Sequence, residues 1–338
     1  MFFGGKEVKK LILWILIISV AMFIVNSDKS DIVEAVSGKR DDNTTYLLCG
    51  YDESGDNTDV IVLAHYNEAA NSLSFVHIPR DTYYKGPSIS KINAIFPDAV
   101  ADGKSNVEAL NTLRKAISNA LGIRIDASIG CTMQNFVRLV DAIGGVNLNL
   151  PSSLIIKNES GADLLLAEGY NHLDGKDALS FVRARNGYTT GDIGRIDAQK
   201  LFLSAFIGRL KNDIGLTDIV KACISTGNGW TIDGKISNLF KMLAKNKGRI
   251  ANISTKYANI PGLQTKNSAG EWYYTVSKYA ADEFLNHLGV YRYGDVDEGG
   301  LLINESEPEF VKIYNARDVK IKIYDDASLA EIRLEVRK

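Results

Sequence analysis

The chain has 338 residues, 45% of them apolar, which is enough for one large core or two modest ones and excludes a miniprotein stapled by disulfides or metal. Lys and Arg number 39 against 41 Asp and Glu, for a formal net charge of −2. No global basic field exists to hold duplex nucleic acid, so an anionic partner must be met by a local cluster. Cys49, Cys131 and Cys223 lie far apart, show no CxxC spacing and cannot all pair; they read as small buried apolar residues.

The N-terminal residues carry Lys6, Lys9 and Lys10 against one acid, Glu7, and are followed by Leu11–Val25, apolar except for Ser19. As a helix that run spans about 22 Å, short of a bilayer core of about 30 Å unless flanking residues help. It reads either as the core of a cleaved signal peptide or as an uncleaved signal anchor. The cleavage signals are poor: Val25-Asn-Ser27 is imperfect and Ala35-Val-Ser37 lies too far downstream. The anchor is the favoured reading, with residues 1–10 a cytoplasmic tail, 11–25 crossing the membrane, and everything after residue 26 outside. Residues 26–43 are polar and charged, a juxtamembrane linker.

Folded structure is expected from Thr44. Thr45–Gly50, Asp59–His65 and Ser72–Ile78 are strand-like runs bounded by turn formers, and the short links between them predict an antiparallel meander. The end of the first strand, the start of the second and the end of the third then fall at one sheet edge. That edge holds Asp52, Asp59 and Arg80. Ser105-Asn-Val-Glu108 is a capping box opening a helix to Leu121. Asp126–Cys131 reads as a strand, Thr132–Ile143 as a helix stopped by Gly144-Gly145, and Asp174–Arg185 and Gly194–Asn212 as two further helices. Beyond them come helices over 237–245 and 278–288 and a strand near 251–259. Interspersed strands and helices predict an α/β (α+β) domain over 44–290, a mixed central sheet covered by helices. Residues 291–338, with alternating segments around Phe310–Tyr314 and Val319–Tyr324, read as an appended pair of strands.

The helix from Gly194 places Phe202, Leu203, Phe206, Ile207 and Leu210 on an apolar stripe, with Lys200, Ser204, Arg209 and Lys211 on the opposite, solvated side. Asp192, Arg195 and Gln199 share the apolar side. Inward charge is costly unless paired or placed in a cleft, so this end of the helix lines a pocket or holds a buried Asp192–Arg195 pair. Arg183 and Arg185 close the preceding helix, bringing three arginines into one helix–loop–helix. Guanidinium suits phosphate through its planar fork. Clustered arginines beside aspartates outline a diphosphate site with Mg²⁺ shared between carboxylate and phosphate oxygens. His65 and His77 could face each other across the hairpin, but two histidines without a third ligand make a poor metal site.

The chain resembles the LytR–CpsA–Psr proteins of the bacterial cell envelope over about residues 44–290. The resemblance rests on the strand at Asp59, Ser74-Phe-Val-His-Ile-Pro-Arg-Asp-Thr82, Lys91-Ile-Asn-Ala94 and Leu139-Val-Asp-Ala-Ile-Gly-Gly-Val146. It continues through Leu173-Asp-Gly-Lys-Asp-Ala-Leu179, Phe181-Val-Arg-Ala-Arg185, Asp192-Ile-Gly-Arg195 and Gln199. It implies a membrane phosphotransferase that moves a wall glycopolymer from an undecaprenyl-diphosphate carrier onto peptidoglycan, leaving a phosphodiester. By motif position, Arg80, Arg183, Arg185 and Arg195 would grip the diphosphate, and Asp52 and Asp59 would hold Mg²⁺. Gln199 would support the head group and Lys91 match a lysine near the site. The apolar depth at Phe202 and Phe206 would take the polyprenyl tail, or those rings are plain core. Asp59 or Asp192 would accept the hydroxyl proton. Asn57 departs from the family pattern, which has arginine two residues before the second aspartate, and Ala198 and Lys200 replace a common Arg and Gln. Two other readings stay open: a non-catalytic binder of lipid diphosphate or wall polymer, and a diphosphatase using water. A DNA-binding role fits badly, since no basic recognition helix is evident.

Overall fold

The computed structural model describes residues 43–334, apart from 53, 56–57, 87–89, 186–187, 213–220, 223–224, 228, 235–251 and 333. The N-terminal segment, Asn57, Cys223 and the helix expected over 237–245 lie outside the described residues. Among the described residues, no helix is long and apolar enough to cross a membrane.

The meander forms as its turn signals require. Strands β1 (Thr44–Tyr51), β2 (Thr58–Asn67) and β3 (Ser72–His77) pair antiparallel in sequence. The chain then runs through helices α1 (Ile95–Ala101) and α2 (Asn106–Leu121) to strand β4 (Ala127–Thr132). The Ser105–Glu108 capping box is present in full. Helix α3 (Met133–Ala142) starts at Thr132, whose side chain accepts from the Asn135 amide. Two small ribbons follow, β5 (Val146–Leu150) with β8 (Gly169–Leu173) and β6 (Leu154–Lys157) with β7 (Asp163–Leu166). Helices α4 (Gly175–Arg183) and α5 (Asp192–Asn212) lead to β9 (Trp230–Gly234) and β10 (Ser254–Asn259). The hairpin β11 (Gly262–Lys266)–β12 (Trp272–Val276), helix α6 (Lys278–Leu288), helix α7 (Pro308–Tyr314), strand β13 (Ile323–Tyr324) and helix α8 (Asp326–Ala330) follow among the described residues.

Among the described residues, seven strands form the central sheet in the order β13-β10-β3-β2-β1-β4-β9. β1–β4 and β3–β10 are parallel and the other pairs antiparallel. The result is the expected α+β architecture with a mixed sheet. Both sheet faces are covered. Leu47, Ile61, Leu63 and Val76 pack with Leu110, Leu113 and Ile117 of α2 and Phe284 of α6. Tyr46, Val62 and Phe75 pack on the other face with Val140, Phe181 and Phe202.

Three expectations are corrected. Phe310–Tyr314 is helical, not a strand: Pro308 opens the turn, and Phe310 and Tyr314, four residues apart, bury one side at 1% and 6% exposure. The tail is also not an appended ribbon. Val296, Leu301 and Tyr314 join the first core, Leu329 and Leu334 the second, and β13 closes the sheet edge beside β10. That closure changes α5, whose expected polar face is covered rather than solvated. Lys200 is 2% exposed, pairing with Asp197 at 2.7 Å and lying 4.9 Å over the Tyr324 ring. Ser204 donates to Asp326 at 2.7 Å, Lys211 lies 3.7 Å from the same carboxylate, and Arg209 donates to the Ile143 carbonyl at 2.7 Å.

The histidines do not face each other. His77 is opposite Val62 and His65 is opposite Ser74; three residues apart in register, they point to opposite faces of the sheet. Burial holds His77 neutral, its pKa pushed down to about 3 with Lys200 contributing repulsion. Its charged form is therefore favoured only in the unfolded chain, so stability falls as pH drops below about 6.5 and keeps falling toward about 3. One such proton gives a slope of about 1.4 kcal/mol per pH unit. Denaturant titrations at pH 8 and pH 5 should show about 2 kcal/mol of acid loss that is absent in His77→Asn. An equal loss in both proteins would show that other groups set the acid limit.

Candidate functional site

The site begins with an irregularity in the sheet. Gly50 pairs with Val60 and Tyr51 with Thr58, so Asp59 is the extra residue at a β-bulge between β1 and β2. A bulge bends its strand and re-aims the unpaired side chain. Here it delivers the Asp59 carboxylate, 14% exposed, to Arg80, whose Nη1 lies 2.5 Å from Oδ1.

Arg80 sits in a tightly fastened turn after β3. The Thr82 hydroxyl and amide both donate to the Pro79 carbonyl, at 2.6 and 2.9 Å. The Tyr274 amide donates to the Asp81 carbonyl and the Tyr83 amide to the Tyr274 carbonyl, each at 2.9 Å. Hairpin β11–β12 thus clamps the turn from one side. The Asn93 amide donates to the Arg80 carbonyl at 3.3 Å from the other.

The second half comes from the α4–α5 connection. α4 ends at Arg183, and the chain passes Arg185 and buried Tyr188 before α5 begins at Asp192, two residues earlier than its periodicity suggests. Gly194 makes the return possible: a Cβ there would lie 2.5 Å from that of Tyr188. Arg185 Nη2 is 3.6 Å from Asp59 Oδ1 and its Nε 3.6 Å from Asp192 Oδ1. Arg195 Nη2 meets Asp192 Oδ1 at 2.6 Å. Arg195 is 3% exposed. Burial lowers its pKa to about 10, with Asp192 and Asp59 opposing and Arg185 and Arg80 adding to the fall. The buried Nε atoms of Arg80 and Arg195 have no hydrogen-bond partner.

Asp59, Arg80, Arg185, Asp192 and Arg195 therefore form one network joining sequence positions up to 136 residues apart. Lys91 reaches its rim, 3.3 Å from Asp81 Oδ1, which is 3.9 Å from Arg80 Nε. Arg183 is exposed at the end of α4 and makes no ion pair among the described residues. Asp52 lies at the same sheet edge, where its carboxylate accepts from Ser54 at 3.2 Å. Gln199 is buried and donates to the Val182 carbonyl at 3.1 Å; it ties α5 to the end of α4 just before Arg183. Phe202 and Phe206 stand 10 and 14 positions along α5 from Asp192, about 15 and 21 Å away. They pack in line with Phe136, at 5.4 and 6.1 Å between successive rings. Sequence reasoning passed over Asp81 and Tyr273, whose ring lies 4.8 Å beneath the Lys91 ammonium. The signal for Asp81 was its place next to Arg80; nothing local marks Tyr273.

Residues 19–289 match the LytR_cpsA_psr family. The chain belongs to the LytR–CpsA–Psr family. A relative from Oceanobacillus iheyensis, named polyisoprenyl-teichoic acid–peptidoglycan teichoic acid transferase TagU, is 30% identical over 271 residues, covering 77% of this chain and 78% of its own. The Corynebacterium glutamicum cell wall biosynthesis protein LcpA is 31% identical over 214 residues, 55% of this chain and 41% of its own. Among solved structures, B. subtilis TagV superposes with a TM-score of 0.60 at 20% identity, covering 74% of this chain and 96% of its own. TagT bound to LI-WTA does so with a TM-score of 0.55 at 21% identity, covering 75% and 92%. These structures share the LytR–CpsA–Psr fold of this chain.

The network makes a stability prediction. Asp192→Asn leaves Arg195 buried and uncompensated, and should destabilise by about 3–5 kcal/mol. Arg195→Met in the same background should recover most of that loss in urea unfolding. Failure of the double variant to recover would mean that the loss has another origin than the stranded charge.

Proposed function

We propose that this protein is a membrane-anchored transferase that moves a cell-wall glycopolymer from a polyprenyl-diphosphate carrier to peptidoglycan. The observation that carries the reading is the arginine network: Arg80, Arg185 and Arg195 gathered around two carboxylates, with two buried guanidinium Nε atoms that make no hydrogen bond. Guanidinium excess of this kind neutralises a diphosphate, and the named activity of the TagU relatives is the corresponding transfer. Residues 1–10 would remain inside, 11–25 cross the membrane, and the folded part act at the wall side, where both carrier and acceptor are found.

In the proposed reaction an acceptor hydroxyl oxygen attacks the phosphorus that bears the glycopolymer. A new P–O bond forms, the bond to the bridging diphosphate oxygen breaks, and polyprenyl phosphate leaves with its negative charge. Arg80, Arg185 and Arg195 hold the phosphoryl oxygens and neutralise charge as it develops, which is the main contribution a protein makes to phosphoryl transfer. Arg183, at the exposed end of α4, would close over the outer phosphate. Gln199 positions this arm through Val182, and the Phe202–Phe206 side of α5 would meet the first units of the lipid.

Among the described residues, no group of three or more His, Cys, Asp or Glu could hold a metal ion. Mg²⁺ does not need one, because it commonly takes one or two carboxylates and completes its shell with water and substrate phosphate. Both arginines of Asp59 approach Oδ1, which fits Oδ2, with Asp52 from the same edge, holding such an ion. Bound there, Mg²⁺ would add positive charge beside the phosphates.

The test is incubation of the full chain in detergent with a short lipid-diphosphate-linked glycan, Mg²⁺ and peptidoglycan oligomers, followed by mass spectrometry. A phosphodiester-linked product is expected, reduced about 100-fold or more by Arg80→Ala or Arg185→Ala. Released phosphorylated glycan without coupling would replace the transferase by a diphosphatase. Intact substrate retained on the protein would replace it by a binder.

A further inference from the structure

The geometry points to an acceptor-sugar subsite on the β11–β12 hairpin, over the shallow depression between Asp192 and Trp272; this rests on the transferase reading above. Pro79, Asp81, Asp192, Gln264, Trp272 and Tyr273 are among the residues that line the depression. One end is therefore a carboxylate of the arginine network and the other an aromatic hairpin that the proposed chemistry does not otherwise use.

Three features fit the depression to a neutral sugar. Trp272 is 54% exposed, and an indole in that state offers a flat apolar face suited to the C–H face of a pyranose. Lys266 stands 4.6 Å over the ring, holding the indole in place against the strand. Gln264 and Asp81 supply an amide and a carboxylate at the same wall, the few convergent polar groups that orient a ligand by its hydroxyls. Asp81 is charge-balanced by Lys91 at 3.3 Å, so the wall presents no uncompensated carboxylate and suits the hydroxyls of a neutral N-acetylhexosamine.

Position supports the assignment as strongly as composition. The hairpin is bonded through Tyr274 directly to the Arg80–Thr82 turn, and the Tyr274 hydroxyl donates to the Ile260 carbonyl at 2.6 Å. Tyr273 is wedged by Phe310 at 5.3 Å and Tyr83 at 5.8 Å. The platform is thereby fixed relative to Arg80, as near-attack positioning of two substrates requires. A glycan strand stacked on Trp272 would present a hydroxyl toward Asp192. That hydroxyl's oxygen forms the bond to phosphorus, its proton passes to Asp192, and polyprenyl phosphate departs from the opposite side.

The experiment uses the full chain in detergent and a soluble peptidoglycan tetrasaccharide as the probe. Binding by calorimetry should weaken at least tenfold in Trp272→Ala and severalfold in Gln264→Ala, while Arg185→Ala binds the probe like the wild type. In the coupled reaction, Trp272→Ala should raise the acceptor KM at least tenfold, leave the donor KM unchanged, and change kcat less than threefold. Wild-type probe affinity in Trp272→Ala, or a lower kcat with an unchanged acceptor KM, would overturn the subsite. Probe binding that depends on Trp272 in a protein that couples nothing would instead support the subsite and reject the transferase reading.

Discussion

One carboxylate oxygen organises the site. Asp59 Oδ1 receives Arg80 at 2.5 Å and lies 3.6 Å from Arg185, joining the β3 turn to the α4–α5 connection. The oxygen is there because β2 carries one residue more than β1 can pair. A regular ladder would send Asp59 to one face of the sheet, into or away from a packed core. The bulge leaves it at the edge, between two guanidiniums that would otherwise repel. Asp192 repeats the arrangement between Arg185 and Arg195. The carboxylates thus space the arginines without satisfying every donor, since the buried Nε atoms of Arg80 and Arg195 make no hydrogen bond. Donors held in place before charge develops need little reorganisation when it does.

The meander and the site edge were legible in the sequence because both are local. Hairpin-length links and β-branched runs set the strand order, and strand order alone brings Asp59 and Arg80 to one edge. The same holds for Arg185, Asp192 and Arg195, which one helix–loop–helix carries. The bulge was not legible, because it depends on how two strands share one extra residue. Nor was the Trp272–Tyr274 platform, whose tie to Arg80 crosses nearly 200 residues of chain.

The covered face of α5 shows the same limit from another direction. Lys200, Ser204 and Lys211 have the composition of a solvated helix face, and periodicity can only report composition. Their partners, Tyr324 and Asp326, lie more than 110 residues later, in a tail whose own alternation suggested a separate ribbon. Long polar side chains can bury their stems and satisfy their heads under such a cover. The consequence reaches the site: α5 is held on both sides, so the Asp192–Arg195 turn at its start is anchored by a helix with little freedom to tilt.

Arg195 best separates function from stability in this arrangement. It stands in the first turn of a 21-residue helix, where a cation opposes the helix dipole by about 0.3–1 kcal/mol. It is 3% exposed, and burial pushes its pKa down to about 10, while Arg80 and Arg185 crowd it with like charge. Asp192 offsets only part of this. The dipole and like-charge penalties would both shrink beside a doubly charged anion of the kind proposed above, which the helix N-terminus and the neighbouring guanidiniums would favour alike. Arg195 thus stands where stability alone disfavours a cation, which is the placement the proposed diphosphate site asks of it.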